Sequence, residues 1–295
     1  MNIHSIKGKL TGIKRKILPL LKPEYLIVGC FILVAVFYIF DHINLRAFWS
    51  DEAGVANIIG NSFTELWQRA IIDGHPVFYL YFLKIWSVIF GNSETALRSF
   101  SAFFAIAIVI AFYIFGKRVF LSRKTGLIAA GLAGTNYFLI WFATQNKVYT
   151  FSAFVGLVSY YIFIRLMLGK TNNTALIGYI VFTTIAIYTH PWQILSFGGQ
   201  IISFLLLARY TENHKRTLIA MIGVGLLMIP ALLIYYYQGQ LGASAWITKI
   251  SFPMLITSIG YLGYGSNIIY LLLSLIAIPS AVTAYRAMLP AEKKK

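Results

Sequence analysis

Residues 22–52 read KPEYLIVGCFILVAVFYIFDHINLRAFWSDE. Residues 25–40 form an uncharged apolar run, and the polar stretch behind it ends in two adjacent carboxylates. An apolar segment approaching 20 residues can cross a bilayer core as a helix, which satisfies its own backbone groups there. The one cysteine, Cys30, lies inside this run, which excludes a disulfide framework and a cysteine-based metal site. Lys7, Lys9, Lys14, Arg15, Lys16 and Lys22 precede it, an order that a cleaved signal peptide also shows. Its length and the lack of a small-residue cleavage site predict an uncleaved signal anchor instead.

The rest of the chain repeats this character. Of its 295 residues, 59% are hydrophobic and only 12% are charged, more apolar surface than a soluble domain can hide. Spans are predicted near 24–43, 99–116, 126–142, 149–168, 174–188, 192–208, 217–235 and 266–284. With the N-terminus in the cytoplasm, segments 1–23, 117–125, 165–173, 209–216 and 285–295 lie inside and carry 19 of the 25 lysines and arginines. Outside are Arg46, Arg69, Lys84, Arg98, Lys147 and Lys249. Such a bias orients the chain. The net charge of +16 then reflects topology and anionic lipid rather than nucleic acid.

The fold class expected is an all-α polytopic protein of the inner or plasma membrane, with about eight transmembrane helices and both termini cytoplasmic. A basic N-terminus (1–23) and a basic tail (286–295) flank the transmembrane domain (24–285). The apolar run 76–90 is short and interrupted by Lys84, so it is expected to dip into the membrane rather than cross it. Counting it as a span would throw four basic loops to the outside.

Six of the nine carboxylates then fall in the first outer loop, residues 41–98. Ser50 is placed to cap a helix whose first turn carries Asp51 and Glu52. Val55, Ile58, Ile59, Phe63, Leu66 and Trp67 follow at helical spacing, predicting an amphipathic helix on the membrane. Asp73-Gly74-His75-Pro76 comes next, with His75 at a helix N-terminus where an anion is welcome. Glu94 and Arg98 stand four residues apart. Further outward-facing groups are Gln145, Lys147 and Tyr149 after the third span, His190 after the fifth, and Gln240 and Trp246 in the last outer loop (236–265). Each has a plainer reading: a helix start, a turn, an intrahelical ion pair, a snorkelling lysine, a structural histidine, an interfacial tryptophan. Their shared side argues for function. Carboxylates, His, Arg and Lys on one face suit chemistry on a phosphate-bearing lipid.

The order Trp49-Ser50-Asp51-Glu52, Asp73-Gly74-His75-Pro76, Glu94-x-x-x-Arg98 and Gln145-x-Lys147-x-Tyr149 resembles the GT-C glycosyltransferases. Within them it is similar to the dolichyl-phosphate-mannose–protein mannosyltransferase set (family 39-like), including bacterial aminoarabinose transferase relatives, over about residues 24–250. The resemblance implies transfer of a sugar from a polyprenyl-phosphate donor to a protein, lipid or polysaccharide acceptor on the exoplasmic side. It implies Asp51 as the catalytic acidic residue with Glu52 beside it, and His75, Arg98 and Lys147 near the donor phosphate. Where the family commonly has Gln-Glu-Ala-Arg-x-Tyr, this chain has Thr144-Gln145-Asn146-Lys147-Val148-Tyr149, and Val77 replaces a second proline. Lysine keeps the charge but loses the fork of arginine. Relatives are commonly longer, so a short form, a truncated form or half of a two-subunit enzyme are all compatible with 295 residues.

The expected mechanism is direct displacement, with Asp51 as general base. No obligatory cofactor or metal is expected, a divalent cation near Asp51 with Glu52 or His75 being the alternative. The rival functions are a lipid flippase or transporter and a non-catalytic lipid-binding subunit. A transporter predicts repeated halves and charges in mid-membrane, and neither is visible here.

Overall fold

The computed structural model describes residues 22–168, 172–208 and 214–242, with Ser251, Pro253 and Met254. The predicted span 266–284, Trp246 and both basic termini apart from Lys22 lie outside the described residues. Within them the chain is all helix and turn: α1 (Pro23–His42), α2 (Ser50–Gly60), α3 (Phe63–Ile72), α4 (Val77–Phe90), α5 (Glu94–Val119), α6 (Arg123–Gly134), α7 (Tyr137–Ala143), α8 (Tyr149–Met167), α9 (Asn173–Thr189), α10 (Gln193–Leu207) and α11 (His214–Gln240). The protein is an all-α polytopic membrane protein.

Helices α1, α5, α8 and α11 are each long and apolar enough to cross a bilayer. The span expected at 126–142 is instead two helices, α6 and α7, bent by 54°. The break has a local cause: Asn136 accepts the Leu139 N–H at 2.9 Å and starts a new helix. Counting this pair as one span gives five candidates. The spans expected near 174–188 and 192–208 are present as α9 and α10, of 17 and 15 residues, shorter than a full crossing.

The bundle is built outward from α5, which packs on α1, α4, α6, α7 and α8. Helix α9 packs on α8 and α11, and α10 closes over α8 and α9. A buried polar chain joins these last layers: Tyr179 donates to Gln200 at 2.7 Å, Gln200 to Ser159 at 3.0 Å, and Ser159 meets Thr183 at 2.7 Å. Such bonds between apolar helices hold them in register where hydrophobic burial alone gives little direction. At one end of the bundle Glu24 meets Lys117 at 2.9 Å and Arg123 at 3.1 Å.

Helices α2, α3 and α4 cover the opposite end. The single amphipathic helix expected over 50–67 is split at Asn61-Ser62. Asn61 donates to Asn57 O and Ile58 O and finishes α2, while Ser62 and Glu65 exchange bonds and begin α3. Part of the apolar face of the two helices turns into the protein, while Phe63 and Trp67 stay exposed. Val55, Ile58, Ile59 and Leu66 join Tyr79, Leu80, Leu83, Leu97, Phe100 and Phe151 in one buried cluster. Helix α4 has the expected short length and ends at Gly91, whose φ of +91° suits glycine. Lys84 does not snorkel; its Nζ donates to Ile59 O at 2.6 Å, capping α2.

Helices α5 and α6 form a hairpin that two glycines allow. A Cβ at Gly126 would lie 2.7 Å from Tyr113 O, and one at Gly116 would lie 2.8 Å from Gly126 Cα. Backbone sets both limits, so neither is relieved by a rotamer change. Gly126→Val is expected to destabilise the purified protein by about 1–3 kcal/mol or more, read as an earlier loss of the monodisperse species on heating in detergent. Gly54→Ala, whose Cβ meets nothing within 4 Å, is the control that does not lower it.

Candidate active site

The centre of the covered end is an ion pair with no solvent exposure on either side chain. Arg98 Nε donates to Glu52 Oε1 at 3.0 Å and Arg98 Nη2 to Glu52 Oε2 at 2.9 Å, a two-pronged contact. Arg98 Nη1 donates to Ile43 O at 2.8 Å and Arg46 O at 2.9 Å, and lies 3.6 Å from Glu94. The loop between α1 and α2 is thereby pinned to the start of α5. Phe48 N–H to Glu94 (3.4 Å) and Thr95 to Asn44 (2.6 Å) complete the attachment.

Glu52 has two further donors. Its Oε1 accepts the Asn146 N–H at 2.7 Å, and its Oε2 accepts the Trp49 N–H at 3.4 Å. Trp49, not Ser50, is therefore the N-cap of α2. Burial pulls the Glu52 carboxyl upward, but the bonds from Arg98 and Asn146 and the Arg98 charge outweigh it and hold the group below the ordinary carboxylate range. Asn146 is itself fully buried and accepts from Tyr79 OH at 3.1 Å. Ser101 donates to Lys147 O at 3.0 Å, so the turn before α8 is fixed from three sides.

Each buried member of this network has a sequence neighbour that faces outward. Asp51, beside Glu52, is half-exposed and meets Lys147, beside Asn146, at 2.6 Å. The Lys147 Nζ also stands 4.7 Å from the centre of the Trp49 ring. His75 lies in the same field. Burial lowers its imidazole below the usual histidine value, the Lys147 charge adds to this, and Asp73 and Asp51 oppose it. Burial likewise lowers His190, whose ring is 6.0 Å from Tyr149.

A cavity of about 330 Å3 opens beside the Asp51–Lys147 pair, lined by Arg46, Trp49, Trp141, Phe142, Gln145 and Tyr149. A second cavity, about 530 Å3 and almost wholly apolar, runs between α5, α6, α7 and α8. Phe142 and Tyr149 line both.

The structure thus brings together Asp51, His75, Lys147, Gln145, Tyr149 and His190. It separates others. Arg98 and Glu52 have no exposed surface and spend their hydrogen-bonding groups on each other and on backbone, so neither reaches the cavity. For the same reason Glu52 is not free to share a cation with Asp51, and among the described residues no three His, Cys, Asp or Glu side chains converge as a metal site. Glu94 salt-bridges Arg98, and Asp73 is exposed at the C-cap of α3. Helix α11 continues to Gln240, which is exposed; its neighbour Gln238 is buried and donates to Ala70 O and His75 O, both at 3.1 Å. Gln238 holds the His75 turn. Arg46, Tyr79, Trp141 and Asn146 are functional neighbours that the motif spacing did not single out.

A family profile described as dolichyl-phosphate-mannose-protein mannosyltransferase matches residues 74–237, more than half of the chain. The chain belongs to this family. It is a membrane glycosyltransferase of the GT-C type. The mannosyltransferase-family match takes in His75, Arg98, Lys147, Tyr149 and His190 and begins after Asp51. No curated protein and no solved structure matches the chain.

Removing one partner of a buried pair strands a charge, a loss of about 3–5 kcal/mol, whereas apolar replacement of both is far milder. Arg98→Met and Glu52→Gln are each expected to lower the thermal midpoint in detergent sharply, and the double variant to recover much of it. Stability from the depressed Glu52 carboxyl is present above its unfolded value near 4.5 and is lost as pH falls through the lower folded value. Wild-type midpoints should therefore drop with acidification below about pH 4.5, and less so in the double variant.

Proposed function

We propose that this glycosyltransferase takes its sugar from a polyprenyl-phosphate carrier and transfers it by direct displacement, with Asp51 as general base. The observation that carries this reading is that Phe142 and Tyr149 line two cavities at once, one almost wholly apolar and one that also presents Arg46 and Gln145, with the Asp51–Lys147 pair reaching the second through Trp49. That shape suits an amphiphile: a prenyl tail against the helices and a charged head at the bundle's end. The charge bias of the loops supports an exoplasmic position for this end, with both termini cytoplasmic.

In the reaction, an acceptor hydroxyl oxygen forms a bond to the anomeric carbon as the bond from that carbon to the phosphate oxygen breaks. The hydroxyl proton passes to Asp51 and the bonding electrons leave with the phosphate. Lys147 serves both ends of this shift. Before the step its ammonium faces the Asp51 carboxylate. Once the proton arrives there, that attraction ends, and the same cation is released toward the phosphate, whose charge has grown. His75 offers a hydrogen bond to the head group. Glu52 and Arg98 take no part in the chemistry and position Asp51 through the backbone.

Asp51→Asn is expected to lower transfer from a synthetic polyprenyl-phosphate sugar by about 10²–10⁴-fold while leaving the thermal midpoint near wild type. Transfer at the wild-type rate would refute the assignment. Lys147→Arg is expected to retain part of the rate and Lys147→Met to lose it. The wild-type rate is also expected to persist after thorough chelation of divalent ions, since a lipid phosphate is already a good leaving group.

A further inference from the structure

Arg46 lies in the loop between α1 and α2, and its carbonyl is one of the two that Arg98 Nη1 holds. Its side chain is exposed, with the guanidinium carbon 5.2 Å from the centre of the Trp141 ring. Among the described residues it meets no carboxylate: Asp41 faces His42, Asp51 faces Lys147, and Glu52 and Glu94 face Arg98. It lines the 330 Å3 cavity. It also lines a neighbouring one of about 390 Å3 with Tyr38, His42, Tyr137 and Thr144. Trp141 lines both as well, so the Arg46–Trp141 pair is shared by the two cavities.

We propose that Arg46 is the residue that grips the phosphate of the lipid-linked substrate in the 330 Å3 cavity. The other cations near this site are engaged or absent. Arg98 is buried with its donors committed, Lys147 is paired with Asp51, and burial draws the His75 imidazole away from its charged form. A guanidinium held over a ring keeps N–H groups at its edges for other partners, and those edges match two phosphate oxygens at once. The ring also limits where the long side chain can point, so less freedom is lost on binding. Because Arg98 holds the Arg46 carbonyl, the guanidinium is carried on a fixed stem. This assignment rests on the polyprenyl-phosphate reading of the same site and adds to it the group that recognises the head.

The test uses the full chain purified in detergent, with farnesyl phosphate as probe and farnesol and inorganic phosphate as controls. Affinity is read from intrinsic tryptophan fluorescence, since Trp49 and Trp141 border the cavity. Wild type is expected to bind farnesyl phosphate more tightly than either control. Loss of a charged hydrogen-bonding group corresponds to about 10–100-fold, the weakening expected for Arg46→Gln, with Arg46→Lys between the two. Farnesol binding should not change, nor the thermal midpoint, because only the Arg46 carbonyl serves the fold. If wild type distinguishes the phosphate from the alcohol and Arg46→Gln binds as tightly, the Arg46 assignment is overturned while the substrate class stands. If wild type shows no preference over farnesol, the substrate class fails and takes this assignment with it. Inorganic phosphate binding as tightly as farnesyl phosphate would overturn the lipid source of the phosphate.

Discussion

Glu52 and Arg98 form the contact on which the upper half of this protein depends. Two opposite charges taken fully out of water cost more to desolvate than their attraction alone returns. The arrangement is tolerable because every edge is used. Glu52 accepts from Arg98, Asn146 and Trp49, and Arg98 also donates to two loop carbonyls. Four pieces of chain are consequently locked together: the loop after α1, the first turn of α2, the first turns of α5 and the turn before α8. A partly satisfied version of the same network would be worse than an apolar plug.

The geometry of the reactive pair follows directly. Glu52 and Asn146 are bonded in the interior, and one residue along each chain, Asp51 and Lys147 are bonded at the edge of the cavity. The inner contact sets the spacing of the outer one. A carboxylate and an ammonium that must exchange roles during a reaction need fixed backbones more than they need each other. Tyr79, Ser101 and Gln238 extend that support to the turns carrying Lys147 and His75.

Much of this was readable before any coordinates. Apolar runs and the placement of basic residues predict the long helices, and the motifs point to Asp51, His75 and Lys147 as neighbours across nearly a hundred residues. What spacing does not reveal is which of two adjacent polar residues turns inward. Asp51 and Glu52 look equivalent in the chain, as do Gln238 and Gln240, and only packing separates them. Arg98 shows the same limit: the spacing to Glu94 predicts their ion pair, but not that the arginine is completely enclosed. The break at Thr135-Asn136 is decided by one side-chain bond inside an apolar run. Arg46 belongs to no motif, and only the cavity it lines marks it out.

The long reach of the Glu52 contacts also bears on biogenesis. Its partners lie 46 and 94 positions further along the chain, so Glu52 emerges from the ribosome well before either exists. Until Arg98 follows, the carboxylate must stay hydrated at the membrane surface, and α2 has no reason to leave water. Until Asn146 and Lys147 arrive, Asp51 has no fixed neighbour. Assembly of the reactive centre is therefore a late event in synthesis, and a nascent enzyme released before the start of α8 would carry its acid without a place to use it.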